Sequence, residues 1–496
     1  MADSKRMLDD LTRILNTGKT ASTARTTTRG FTQSRKISLL DVLLFYTFRS
    51  AETTNKDIIS YFSKVDKPKV SKQAMFKALN KTNPEVFPLI IRELAEKFYA
   101  HDDYETMDGY IVLACDGTKM DLPPTQEMKE KFGGNLNQSI KTYDQVKKPQ
   151  ANCSVLIDVL NRIILDAAVE PYRTSELPML FHHLENCESF LKGKKVIILC
   201  DRYYGSAELF LYCMQRGYKF IVRNRSYVYK DYVSQVERDG WIDVPFNKAW
   251  YKRMKRDDCR SYAQELTTLH VRVVKNHYEY IMTGRKRKTE PVVIDSAYLT
   301  NLDSNEFPAK RIVSMYHTLR WDNETAYFDI KNHLEAERFN SGKYNIVVCE
   351  LYGKILCYSI CGALYKEGDD QLIADRPAEG MTTAYDYIPD MKYIVDSVRT
   401  ERKILLYLHG NQPNDFDLFL NALVKDLTRR TIPIRPGRHY KRWGRWMSCI
   451  PTAKFRVDGR RNPPIEKCYK MTGYMTLHIL AERNAIFAKT GMRISE

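Results

Sequence analysis

Tyr110-Ile-Val-Leu-Ala-Cys-Asp116-Gly-Thr118 is a continuous apolar run of strand length that stops abruptly at Asp-Gly. A strand covered on both faces reads this way, because neither side of its pleat meets water. The aspartate then stands where the chain leaves the sheet. Alone, it would be no more than a turn-forming residue. The design recurs in Val196-Ile-Ile-Leu-Cys-Asp201-Arg202, again with Cys-Asp closing the run. Two buried strands that deliver a carboxylate at the same end predict a shared site.

The flanking sequence predicts how those strands are arranged. Ala151–Asp158 and Arg162–Val169 read as two strands joined by a tight turn at Leu160-Asn161, and Ser175–Leu191 as a helix. After Asp201, Ser206–Gly217 reads as a helix and Tyr218–Arg223 as another strand. The order strand, strand, strand, helix, strand, helix, strand is that of the ribonuclease H-like fold, an α/β class with a mixed sheet. There the first and fourth strands are neighbours, which would bring Asp116 and Asp201 together for a divalent metal.

A third carboxylate comes from Tyr316-His317-Thr-Leu-Arg320-Trp321-Asp-Asn-Glu324-Thr-Ala-Tyr327-Phe-Asp-Ile-Lys331, in which nothing breaks a helix. At about 100° per residue, Arg320, Glu324 and Lys331 share one narrow stripe, with Tyr316 and Tyr327 on the same side. An ion-pair ladder on a solvated helix would look similar and contribute only a few tenths of a kcal/mol per pair. Asp116, Asp201 and Glu324 offer hard oxygen donors only, which suit Mg²⁺ or Mn²⁺, and no His/Cys cluster offers a zinc site. Two such ions about 3.5–4 Å apart would activate a water or a 3′-hydroxyl and stabilise the leaving oxygen. Arg320 and Lys331 would then hold substrate phosphates. Neither a Gly-x-Ser-x-Gly elbow nor a Gly-x-x-x-x-Gly-Lys-Ser/Thr loop is present, which argues against a serine hydrolase and an ATP-driven motor.

The chain has 496 residues with a net charge of +17, a balance that draws polyanions and makes nucleic acid the expected partner. Residues 1–36 read as a short helix followed by a flexible basic arm, and 37–99 as a series of helices. Ser71-Lys-Gln-Ala-Met-Phe-Lys-Ala-Leu79, with an N-cap serine, suits the second helix of a helix-turn-helix. Residues 224–300 alternate aromatic and basic residues; Leu266–Val274 and His277–Thr283 read as paired strands, with another at Val292–Leu299. Helices return from Tyr344, then over Tyr393–Leu408 and Phe416–Leu427. Residues 429–461 hold eleven Lys or Arg against the single acid Asp458, interleaved with Tyr440, Trp443 and Trp446. Cations mixed with aromatics suit phosphate contact and base stacking, which singles out Arg435, Arg438, Lys441 and Arg442. Eleven scattered cysteines without a Cys-x-x-Cys pair, and an N-terminus without an apolar signal core, predict a reduced cytosolic protein. Leu39–Phe48, the most apolar stretch, is too short to span a membrane.

Three pieces in this order resemble a known family. They are Cys115-Asp116-Gly-Thr118 with Leu122-Pro123 downstream, Asp201-Arg-Tyr-Tyr-Gly-Ser206 with Phe220-Ile-Val-Arg223, and Arg320-Trp321-x-x-Glu324 with Lys331. Together they resemble DDE transposases of bacterial insertion sequences, in the group whose third acid lies in a Tyr-Arg-Glu-Lys signature. The resemblance spans roughly residues 110–360. It departs at the signature tyrosine, three residues before the arginine in the family, where this chain has His317 with Tyr316 one position earlier. The resemblance implies Asp116, Asp201 and Glu324 as catalytic metal ligands for two Mg²⁺ or Mn²⁺ ions. It implies double-stranded DNA as substrate (element terminal repeats and target), contacted by Arg223, Tyr316, His317, Arg320, Trp321 and Lys331. Members cut and paste their element as a homodimer on DNA, in the bacterial cytoplasm at the nucleoid. They accept a flipped base on an aromatic of the insertion, for which Trp241, Trp250 and Tyr298 are candidates.

The expected organisation is a helical DNA-binding region over 1–105, a catalytic core over 106–226 and 306–370, a β-rich insertion over 227–305, and a helical, basic region over 371–496 for DNA contact or dimerisation. A ribonuclease H-like nuclease, or a non-catalytic DNA-binding descendant of a transposase, are the alternatives. The first would hardly need the flanking basic regions. The second would tolerate loss of the acids, all three of which are present.

Overall fold

The computed structural model describes residues 3–434 except 33–34, 51, 137–141, 143–144, 281–291, 376–385 and 412. The proposed DNA contacts Arg435, Arg438, Lys441 and Arg442 lie outside the described residues.

Eight strands form one mixed sheet: β1 (Tyr110–Asp121), β2 (Gln150–Asp158), β3 (Ile163–Pro171), β4 (Lys195–Cys200), β5 (Lys219–Arg223), β6 (Asp239–Pro245), β7 (Thr268–Tyr280) and β8 (Val292–Thr300). Their spatial order is β3-β2-β1-β4-β5-β8-β7-β6. The pairs β1–β4 and β4–β5 are parallel and the other pairs antiparallel. The apolar runs of β1 and β4 are buried as expected, from Ile111 to Cys115 and from Val196 to Cys200. Covered on both faces, these strands need no polar alternation.

The sequence-based expectation for residues 224–300 needs one correction. Leu266–Val274 and His277–Thr283 are not two paired strands; β7 runs unbroken from Thr268 to Tyr280 and pairs with β8. The strands β6–β8 extend the core sheet, because β8 pairs with β5. Alternation within one segment cannot reveal that, since an outer strand looks the same whichever sheet it joins. Buried Arg272 seals the extension, ion-paired with Asp239 and donating to the carbonyls of Leu302 and Phe307.

Residues 3–32 are also more structured than their composition suggests. Helices span Asp3–Leu15 and Gly18–Thr23, and Thr26 N–H donates to the Lys81 carbonyl at 3.2 Å. The first helix buries Met7, Leu8, Leu11, Ile14 and Leu15, an i, i+3/i+4 stripe short enough to be lost in a polar segment. Leu39–Phe48, Thr54–Lys64, Lys72–Leu79 and Val86–Tyr99 are helices, in line with the apolar periodicity.

The central element is the helix Tyr344–Ala374, whose residues 346–365 are all buried. By length and composition it could cross a membrane, contrary to the expectation that no segment would. Here its apolar surface is covered by protein instead. It packs against Leu39–Phe48, β3 and Val86–Tyr99. Arg49 from the N-terminal region pairs with its buried Glu350, and Lys354 donates to the Arg49 carbonyl. Two glycines allow close approach. A Cβ on Gly353 would stand 2.7 Å from the Tyr46 carbonyl, and one on Gly362 would collide with the Arg162 carbonyl.

Gly362→Ala should therefore cost roughly 1–3 kcal/mol of stability as an overpacked contact. Gly368→Ala, whose methyl would meet Leu427 Cβ at 3.4 Å, should be neutral or gain up to about 1 kcal/mol of helix propensity. Urea denaturation of the two variants side by side measures the contrast.

Candidate active site

The parallel register of β1 and β4 sets Cys115 opposite Cys200, so Asp116 and Asp201 follow side by side. β4 ends there, whereas β1 does not stop at Asp116 as expected but continues to Asp121, paired with β2 alone. One edge of β1 is thus left open beside both carboxylates. Asp116 Oδ1 accepts from Gly117 N–H at 2.9 Å. Burial pushes the Asp116 carboxyl up to about 7; Arg320 and the Gly117 N–H oppose the rise, and the negative charges of Glu176 and Asp201 add to it.

Glu324 lies on the helix Trp321–Phe328. The expected unbroken helix is interrupted twice. The hydrogen-bond ladder resets at Arg320, and Asp329–His333 is a π-helical turn. Arg320 keeps helical dihedrals, so the expected stripe survives locally. Its Nη2 donates to Glu324 Oε1 at 2.8 Å, and its Nη1 lies 3.7 Å from Asp116 Oδ2. One guanidinium therefore spans the two carboxylates. Tyr327, one turn on, is buried; its hydroxyl donates to the Asp116 carbonyl at 2.7 Å and accepts from Val155 N–H at 3.0 Å. That hydroxyl joins the carboxylate helix to β1 and β2.

The other candidates gather around this centre. Tyr316 is buried under Arg320, with the guanidinium 5.4 Å from its ring centre. His317 Nε2 hydrogen-bonds the Tyr298 hydroxyl at 2.8 Å. Burial, then the charges of Arg223 and Arg320, hold its imidazole below the usual range and so favour the neutral ring. Arg223 is paired with Tyr298 across β5 and β8. Lys331 turns to the strand: its Nζ donates to Thr118 Oγ1 and the Lys119 carbonyl, both at 2.8 Å. Trp321 opens the Glu324 helix, and its side chain lies outside the described set. Asp322 and Asp329 are buried, with Asp322 Oδ1 3.9 Å from Arg162, a separate ionic cluster that leaves Glu324 as the acid beside Arg320. Among the aromatics considered for a flipped base, Tyr298 is buried, Trp250 packs on Tyr229, and Trp241 is exposed with its ring stacked on His270.

Two residues at this site, Glu176 and Tyr204, were given no role by the sequence reading, although Tyr204 lies in the Asp201–Ser206 stretch. Glu176 opens the helix Glu176–Asn186, and its carboxyl lies so near Gly117 that a Cβ there would come within 2.6 Å of Oε1. Burial raises its carboxyl above the ordinary range; Lys119 opposes the rise, the charge of Asp201 adds to it, and a hydrogen bond from Tyr204 opposes it. Tyr204 is itself buried beside Cys115. An acid in the first turn of a helix is what the helix dipole favours anyway, so its sequence signal is ordinary.

The donors fit a hard dication in kind, since all are carboxylate oxygens. The negative charges of Glu176 and Asp201 act on Asp116 against the single guanidinium of Arg320. Among the described residues, no three His, Cys, Asp or Glu side chains are close enough to hold a metal ion. The guanidinium of Arg320 stands between Asp116 and Glu324.

The family model for the transposase DDE domain matches residues 108–360, which include every carboxylate of this site. No curated protein matches the sequence. Among solved structures, a cryo-EM structure of the piggyBac transposase synaptic complex with hairpin DNA is similar at a TM-score of 0.38 and 10% identity, over 85% of this chain and 82% of that one. That likeness is too remote to argue from.

Tyr327→Phe should leave Val155 N–H buried without its partner and cost about 1–3 kcal/mol. Equilibrium denaturation checks the loss.

Proposed function

The chain belongs to the transposase DDE domain family, and from that premise we propose that it cuts DNA strands at the ends of a mobile element and transfers them into target DNA. The observation that carries the reading is the placement of Asp116 and Asp201 side by side where β4 ends against β1, with Glu324 joined to Asp116 through Arg320. The strand order β3-β2-β1-β4-β5 supports a ribonuclease H-like core, with β6–β8 as the insertion that extends it. Of the alternatives, the non-catalytic descendant is disfavoured by the concentration of carboxylates at one open strand edge. The stand-alone nuclease is disfavoured by the helical N-terminal region and the basic run after residue 428.

Asp116, Asp201 and Glu324 would hold two divalent ions, Mg²⁺ or Mn²⁺. When bound, such ions polarise the attacking water or 3′-hydroxyl and offset charge on the leaving oxygen. Arg320 would move from bridging carboxylates to binding the scissile phosphate, a planar donor matched to two phosphate oxygens. Neutral His317 and Arg223 would orient the strand beside it. Lys331 spends two of its three ammonium N–H groups on β1, which leaves a third for a phosphate oxygen. In our reading the active form is a homodimer on double-stranded DNA, acting at the bacterial nucleoid. Arg435, Arg438, Lys441 and Arg442 would add phosphate contacts.

With end DNA and Mg²⁺, Asp116→Ala, Asp201→Ala and Glu324→Ala should each abolish strand cleavage while DNA affinity stays near that of the parent, since phosphate contacts dominate affinity. Near-normal cleavage by Glu324→Ala would overturn the assignment of the third ligand. Lys331→Met should both slow single-turnover cleavage and lower the melting temperature. A lower melting temperature with normal cleavage would leave it a structural role alone.

A further inference from the structure

A groove of ≈ 490 Å³ opens in the N-terminal region, with none of the carboxylate-site residues in its lining. Six cations line it, Arg29, Arg35, Lys36, Lys69, Lys77 and Lys81, and no acid does. All six are exposed. The chain as a whole carries 78 Lys and Arg against 61 Asp and Glu, so an acid-free lining is not its average surface. Like charges gathered in a concavity repel one another and focus a positive potential outward. Lys69, Lys77 and Lys81 pair with no carboxylate among the described residues, whereas nearby Lys67 is tied to buried Asp41 at 2.7 Å.

Both walls are held in place by the fold. One is the helix Lys72–Leu79, capped by Ser71, whose hydroxyl accepts from Ala74 N–H. It buries Met75 and Leu79 and leaves Lys72, Gln73, Ala74 and Lys77 exposed. The helix Thr54–Lys64 packs against it, giving two helices joined by a short turn with the second presented outward. The other wall is the turn at Thr27–Gly30, closed by Gly30 N–H donating to the Thr27 carbonyl at 2.9 Å. It is fastened to the far end of the helix by the Arg25–Thr82 bridge and the Thr26–Lys81 hydrogen bond. Phe31, which also lines the groove, is held at φ 53°, a left-handed conformation that a side chain this size adopts only when its surroundings impose it.

We propose that this groove is a docking site for the phosphodiester backbone of duplex DNA, with the helix Lys72–Leu79 lying against the duplex. The choice of polymer rests on the transposase reading. The choice of chemistry rests on the cations themselves, which stand on both walls and suit a row of phosphates better than a single small anion.

The test compares full-length protein with Lys69→Gln/Lys77→Gln/Lys81→Gln by fluorescence anisotropy on a duplex of random sequence over a salt series. The slope of log K against log salt should fall by roughly 0.9 per lost contact, about 2.7 in all. Affinity at low salt should drop at least about tenfold, the melting temperature should hold, and Arg at the three positions should restore binding. An unchanged slope on a folded variant overturns the groove while leaving the transposase reading intact. Loss of binding to single-stranded RNA but not to duplex DNA overturns the choice of polymer. Failure of the parent protein to bind duplex DNA at all would count against the transposase reading itself, independently of the variant.

Discussion

The parallel hydrogen-bonded register between β1 and β4 is the constraint on which the site depends. It aligns Cys115 with Cys200, and the next residue on each strand is an aspartate. A slip of one residue would turn Asp116 to the other face, because side chains alternate along a strand. The buried runs resist that slip: Ile111–Cys115 and Val196–Cys200 are enclosed on both faces, and any shift would break up their packing. Burial of the same strands then raises the cost of charge at their ends, which is why the Asp116 carboxyl sits so far above its ordinary range.

Glu324 reaches this pair by two different devices. Tyr327 fixes the height of its helix over the sheet, with one hydroxyl shared between β1 and β2. Arg320 fixes its approach by bridging Glu324 and Asp116. The first is neutral and buried, so it is not weakened by salt. The second is ionic and only partly buried, hence free to exchange partners when phosphate or a dication arrives. A rigid anchor beside an exchangeable cation suits a centre that alternates between empty and substrate-bound states.

Positive charge is distributed in the same spirit. Where structure needs a cation, it is buried and paired, as with Arg49 and Glu350 or Arg272 and Asp239. No acid is among the residues that line the N-terminal groove, where the exposed lysines gather. The net charge of +17 is therefore not spread evenly over the molecule.

Much of this was legible in the sequence because it depended on local pattern. Continuous apolar runs of strand length betray strands covered on both faces, so β1, β4, their order and their two aspartates could be read directly, although Cys-Asp marks the end of β4 alone and β1 runs on to Asp121. The spacing of Arg320 and Glu324 on a helix likewise predicted their contact, since residues four apart share a face. Other features arose from contacts between distant segments. Glu176 is an unremarkable helix-opening acid until folding sets it against Gly117. Lys331 shares a stripe with Glu324, yet the π-helical turn and the nearby strand claim its ammonium for Thr118 and Lys119. β6–β8 carry the alternation of any outer strands, and only the edge offered by β5 decided that they extend the core sheet. Periodicity reports which side of an element is buried; it carries no information about which distant segment covers that side, and that was left to the tertiary structure.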